Sequence, residues 1–188
     1  MIVALALSAC GGELPAVIRD EMATTSQAKP GGVATVVFFS DFQCPFCRRT
    51  HAALAPLVDA RHDRVRVVVR HVPLPRHPDA RGAARAAVCV ERITKALSDD
   101  YDRALFESPD LSEAACEALA VERGVDRDRF QRCLSDPATD ARIEQDLAMF
   151  EAVKGDGVPL LYIDRTRLEG AQSRSDLEAV LDDAIARK

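Results

Sequence analysis

The residues at 33–40, VATVVFFS, form an almost unbroken β-branched and aromatic run, the pattern of a buried strand. A helix is predicted from about Pro45 to Ala60. Pro45 suits its first helical position, where a missing N–H costs nothing. Pro56 is expected to kink or interrupt it. RVRVVVRHV at 64–72 predicts a second strand, and PLPRHP at 73–78 a loop, since its three prolines leave little else. From Asp79 to Val153 the period is helical. An Ala-rich stretch comes first. Asp110–Arg123 follows, closed by Gly124 in the position after a helix end. A short Asp126–Leu134 piece leads to a helix capped by Asp136-Pro137, with Ile143, Leu147, Phe150 and Val153 on one face. VPLLYID at 158–164 returns to strand, Asp164–Arg167 reads as a hairpin turn, and RLEG as the partner strand. The last helix is expected to open on a capping box, Ser175 with Glu178.

The order is β-α-β, a helical block at about 78–153, then β-β-α. Neither flanking half can bury a core alone, so the block reads as an insertion into one domain, 33–188. Residues 10–32, Gly- and Pro-rich at both ends, read as a tether with one short ordered piece in its middle.

Composition narrows the partners. The chain has 188 residues and a formal net charge of -5, and its arginines are interleaved with Asp and Glu. No basic stripe offers counterion release, so nucleic acid is not an expected partner. Six cysteines are too few for a disulfide-built mini-protein and many for an idle cytosolic chain. With one C-x-x-C and no His at zinc-finger spacing, no metal is expected.

The first residues, MIVALALSAC, are apolar up to Cys10. The run is too short to span a membrane. Leu7-Ser8-Ala9-Cys10 resembles a bacterial lipobox, which implies a truncated lipoprotein signal at 1–9 and lipidation of Cys10. The positive charges that should precede such a run are missing, so the true start is expected upstream. The implied compartment is extracytoplasmic and oxidising: the bacterial periplasm or envelope surface, with a membrane anchor.

Cys44 and Cys47 flank Pro45-Phe46 where the first strand gives way to a helix. Unpaired N–H groups and the positive end of the helix dipole favour a thiolate there. Cys44 is therefore expected to be the exposed nucleophile. Cys47, nearly one turn on and facing inward, is expected to resolve the mixed disulfide. The redox-active pair needs no cofactor. A structural staple closing so small a ring would remove little chain entropy. A copper or zinc site would want more ligands, and His51 is the only close candidate.

Three segments, VVFFSDFQCPFC, VRVVVRHVPLPRHPDARGAARAAVCV and GDGVPLLYIDRTRLEGAQ, carry a resemblance to the DsbA-like thiol:disulfide oxidoreductases of the thioredoxin superfamily, over roughly 33–187. The resemblance implies an α/β thioredoxin fold with a helical insertion, and exchange of a disulfide with client cysteines. It implies that Pro159 is cis and that Val158 and Pro159 seat the client as an added strand. Members with this layout often join the positions of Cys89 and Cys133, while Cys116 is left over as a buried thiol. Strong oxidants of the family carry His where this chain has Phe46, which implies a weaker oxidant. Val158 points the other way, toward an oxidase, and oxidase is favoured. A reductase or isomerase of the same fold, and a copper chaperone using the two thiolates, stay open. A membrane redox partner is implied in either direction, and a monomer is expected because no dimerisation domain precedes residue 33. His51, His62, His71 and His77 read as structural or surface residues, although His71 and His77 border a loop near the pair.

Overall fold

The structure is a computed structural model that describes residues 14–27 and 33–188. Its centre is a four-stranded mixed sheet in the order β2-β1-β3-β4. β1 (Ala34–Ser40) is buried along its whole length, as its apolar run demands. β2 (Val65–His71) pairs parallel to it, with Val36 opposite Val67. On its other side β1 pairs antiparallel with β3 (Leu160–Ile163), which forms a hairpin with β4 (Thr166–Glu169). The hairpin turns at Asp164, whose φ is +48° and whose side chain accepts from Thr35 N–H on β1 at 2.8 Å.

Helix α2 (Pro45–Asp59) leaves the end of β1 and packs on α8 (Arg174–Ala186), which also contacts β1 and β3. Pro56 does not interrupt α2. It lies in the last turn, and Ala60 N–H bonds its carbonyl at 3.2 Å. The cap of α8 is Ser173, not Ser175. Its hydroxyl accepts from Asp176 N–H at 3.2 Å and meets the Asp176 carboxylate at 2.6 Å. The cap chemistry is the expected kind, set two residues earlier, but Asp176 accepts from the Ser173 hydroxyl and not from its backbone N–H as a capping box would have it.

The insertion holds α3 (Ala80–Ile93), a 3-10 turn (Lys95–Leu97), α4 (Ser98–Glu107), α5 (Glu113–Glu122), α6 (Arg127–Leu134) and α7 (Pro137–Ala152). α3 is its hub, touching α4, α5, α6 and α7 through a face of buried alanines. Asp126 and Asp136 cap α6 and α7, accepting from Arg129 N–H at 2.8 Å and Ala138 N–H at 2.9 Å. Gly124 follows α5 with φ +86°, the left-handed position a helix end favours.

Part of the segment read as a tether is helical. α1 (Ala16–Gln27) packs on β1, and Leu14 and Ile18 join the main core. An ionic chain ties it down. Arg70 on β2 pairs with Glu21 of α1 and, at 3.1 Å, with buried Asp146 of α7. Asp146 also accepts from His71 N–H at 3.0 Å and from Arg142 at 3.3 Å, and Arg142 reaches Glu91 of α3 at 2.7 Å.

Candidate active site

The corner between β1 and α2 is built around one carboxylate. Asp41 follows the last residue of β1, and its side chain is fully buried. Its Oδ1 accepts from the N–H groups of Gln43 at 2.7 Å and Cys44 at 3.2 Å. Its Oδ2 accepts from Leu74 N–H at 2.9 Å and lies 2.7 Å from His77 Nδ1. The corner is thus bound to the loop after β2. A second clasp lies beside it. Gln43 donates to Asp79 at 3.1 Å and accepts from Asp79 N–H at 2.9 Å, where α3 begins. Arg48 donates to the carbonyls of Phe42 at 2.7 Å and Ser108 at 2.6 Å.

Cys44 occupies the N-cap position of α2, with Pro45 at the first helical position. The structure corrects its expected exposure: the residue is 1% exposed. Its Sγ lies 3.9 Å from the Val158 carbonyl, so the loop before β3 closes over the sulfur. The Val158–Pro159 bond is cis. Gly170 N–H, with Gly170 at φ +72°, bonds the Pro159 carbonyl at 2.9 Å and holds that loop to the end of β4.

Cys47 points inward and is completely buried. Burial pushes its thiol up to about 12, an effect that nearby Ser40 and Asp41 oppose and Cys44 reinforces. Both thiols are free. Between them, Phe46 stands 50% exposed, the one large exposed hydrophobic among the described residues, with the Arg49 guanidinium 4.8 Å from its ring centre.

The histidines divide. His77 belongs to the site through Asp41. His51 stacks on Phe106 at 4.3 Å, and burial together with nearby Arg103 lowers it to about 4. His71, buried against Phe42, is likewise lowered to about 4, chiefly by burial. Among the described residues no cluster of three His, Cys, Asp or Glu could hold a metal ion. A cavity of about 850 Å³ along β2 is lined by residues of α2, α4 and β2 but by neither active-site cysteine.

Cys89 on α3 and Cys133 on α6 are joined by a disulfide with a Cα–Cα distance of 5.7 Å. The Thr139 hydroxyl sits beside both sulfurs, at 3.6 and 3.5 Å. Cys116 is free and buried. Its Sγ donates to the Leu111 carbonyl at 3.5 Å, and burial raises it to about 12. Cys10 lies outside the described residues.

Sequence reasoning missed Asp41. The signal it offered was its place three residues before Cys44, where an Asp side chain reaches backbone N–H groups a few residues on. Its second set of partners comes from a loop more than thirty residues away, which no local pattern shows.

Residues 27–183 match a family model described as thioredoxin. A thioredoxin-like oxidoreductase from Silicibacter pomeroyi DSS-3 superposes with a TM-score of 0.71 at 31% identity, over 82% of this chain and 88% of that one. The thiol-disulfide exchange protein alpha-DsbA2 from Wolbachia pipientis shares the fold with a TM-score of 0.73 at 18% identity, over 88% and 96%. Among curated proteins, the Na(+)/H(+) antiporter NhaA 3 of Salinispora tropica is 31% identical over 153 residues, which are 81% of this chain and 23% of the antiporter. The chain therefore spans about a quarter of the length of the curated relatives it matches.

Proposed function

Because the chain belongs to the thioredoxin family, we propose that it is a protein-disulfide oxidoreductase that exchanges the Cys44–Cys47 disulfide with cysteines of client proteins. The observation that carries this reading is the unequal pair. Cys44 stands at the N-cap position of α2, at the positive end of its dipole and beside the Val158 backbone, while Cys47, raised to about 12, stays a protonated thiol in the reduced form. Attack and release therefore fall to Cys44, and resolution to Cys47.

In the oxidising direction a client thiolate attacks Cys44 Sγ of the enzyme disulfide. The S–S bond breaks, and Cys47 leaves as a thiolate and takes up a proton. A second client thiolate then attacks the client sulfur of the mixed disulfide and releases Cys44. The client loses two electrons and two protons, and the enzyme pair gains them. No cofactor enters. The cis Val158–Pro159 loop offers its backbone beside the reacting sulfur, where an extended client segment can pair with it.

Val158 and the helical insertion favour the oxidase direction. A membrane partner then re-oxidises the pair. The Cys89–Cys133 disulfide and the lipobox-like Cys10 favour an extracytoplasmic, membrane-anchored protein. Ion transport is no part of the proposal. The matched portion is a small fraction of the antiporters, and no helix among the described residues is long and apolar enough to cross a membrane.

The test is oxidation of a dithiol peptide by the purified, oxidised protein. Stoichiometric oxidation is expected, and in Cys47→Ser the Cys44 thiolate is expected to attack the disulfide form of the peptide, releasing one peptide thiol and leaving a trapped mixed disulfide on Cys44. An inert wild-type protein overturns the activity. Thiol trapping in cells decides direction: a mostly reduced Cys44–Cys47 pair overturns the oxidase reading. Loss of fatty-acid labelling in Cys10→Ala tests the anchor.

A further inference from the structure

The site carries a buried charge that the exchange chemistry above does not use. Asp41 is shielded from water, and its Oδ1 sits 3.2 Å from Cys44 N, one residue's reach from the sulfur. A carboxylate so placed opposes a thiolate on Cys44 by like-charge repulsion. The Cys44 N–H is shared between this Oδ1 and the Asp41 backbone carbonyl at 3.1 Å, which fixes the carboxylate beside the residue that carries the sulfur. The other oxygen of Asp41 faces His77 Nδ1 at 2.7 Å, so the imidazole presents an N–H to it whether neutral or charged. Arg48 also faces Asp41, but its own hydrogen bonds go to the Phe42 and Ser108 carbonyls.

We infer that Asp41 and His77 are positioning residues that set the redox poise of the Cys44–Cys47 couple in opposite senses: Asp41 disfavours the reduced pair, and His77, by drawing the carboxylate's charge toward itself, offsets that effect. The inference rests on the exchange function proposed above and deepens it. The balance between oxidised and reduced enzyme is then written partly in the loop after β2, which supplies His77 and Leu74. Phe46 is not its sole determinant. A merely architectural clasp would make both substitutions act alike, whereas an electrostatic one separates them by sign.

The experiment is the equilibrium constant of the pair against glutathione in three variants, with thermal unfolding measured alongside. Asp41→Asn keeps an acceptor for the Gln43 and Cys44 N–H groups and removes the charge. It is expected to shift the constant toward the dithiol by about three- to tenfold. His77→Phe keeps a ring and removes the donor, and is expected to shift it toward the disulfide by about threefold. His77→Lys, which restores a cation beside Asp41, is expected to return it to the wild-type value or beyond. Equal constants in all three, or shifts of one sign in the Asn and Phe variants, overturn the inference. If Asp41→Asn does not fold, the Phe and Lys variants of the mostly buried His77 decide it, and equal constants for those two overturn it. A wild-type protein that never equilibrates with glutathione would instead overturn the proposed function.

Discussion

The molecule holds two cysteine pairs, and their surroundings differ in kind. Cys44 and Cys47 are three residues apart at the start of a helix, both free, beside the Asp41 carboxylate and the Val158 carbonyl. Cys89 and Cys133 are 44 residues apart, joined, and bind α3 to α6 inside the insertion. A short loop leaves little chain entropy for a disulfide to remove, so the first pair can open and close at small cost to the fold. A long loop makes the second a clamp. Spacing along the chain, more than the sulfur chemistry, divides the reactive pair from the structural one.

The comparison breaks most sharply at Cys44. Cys44→Ser is expected to lower the rate of peptide oxidation by at least about a thousandfold, with little change in thermal unfolding. Replacing both Cys89 and Cys133 with Ala should do the reverse. The chain-entropy model gives a stability loss of about 4 kcal/mol, read by denaturant unfolding, with exchange retained. If that double variant loses exchange while still folded, the two pairs are not separate in function.

A third test probes the seam between the regions, where His51 of α2 stacks on Phe106 of α4. His51 and His71 are each lowered from 6.5 to about 4, so both are neutral in the fold near neutral pH. The unfolded chain binds these protons first as pH falls. Their contribution to stability is therefore complete above 6.5 and lost as the pH drops toward 4. In His51→Phe, the loss of stability across that window should shrink by about 2 kcal/mol in chemical unfolding at each pH. An unchanged acid limb would show that His51 does not titrate with unfolding.

A smaller effect is expected at Phe46. Phe46→His places an N–H-bearing, chargeable ring beside the pair and should move the glutathione equilibrium toward the dithiol by roughly tenfold. An unchanged constant would remove this residue from the account of the poise.

What could be read from sequence follows what is local. The β1 run, the Pro45 start of α2, the Asp126 and Asp136 caps and the Gly124 terminus each depend on neighbours within a few residues, and each is found in the structure. Ser175 misled because Ser173 presents the same cap chemistry two residues earlier, and packing of Leu177 and Leu181 chooses between them. The ordered piece expected within the tether is the helix at 16–27, but the glycines and prolines around it gave no sign of its docking. Its order comes from burial of Leu14 and Ile18 and from the Glu21–Arg70 pair, all of them distant in sequence from what they touch. The buried Cys44 and the Asp41 clasp escaped for the same reason. The loops that cover the one and bind the other arrive from after β2 and before β3.

The ionic chain Glu21–Arg70–Asp146–Arg142–Glu91 crosses α1, β2, α7 and α3 with alternating sign. Its mechanical consequence concerns a protein pulled from its N-terminal side. Tension entering at α1 would pass through Glu21 into the edge of the sheet and on into the insertion, so several elements would resist together. The first helix would then give way not by peeling alone but only as charges in the interior were parted.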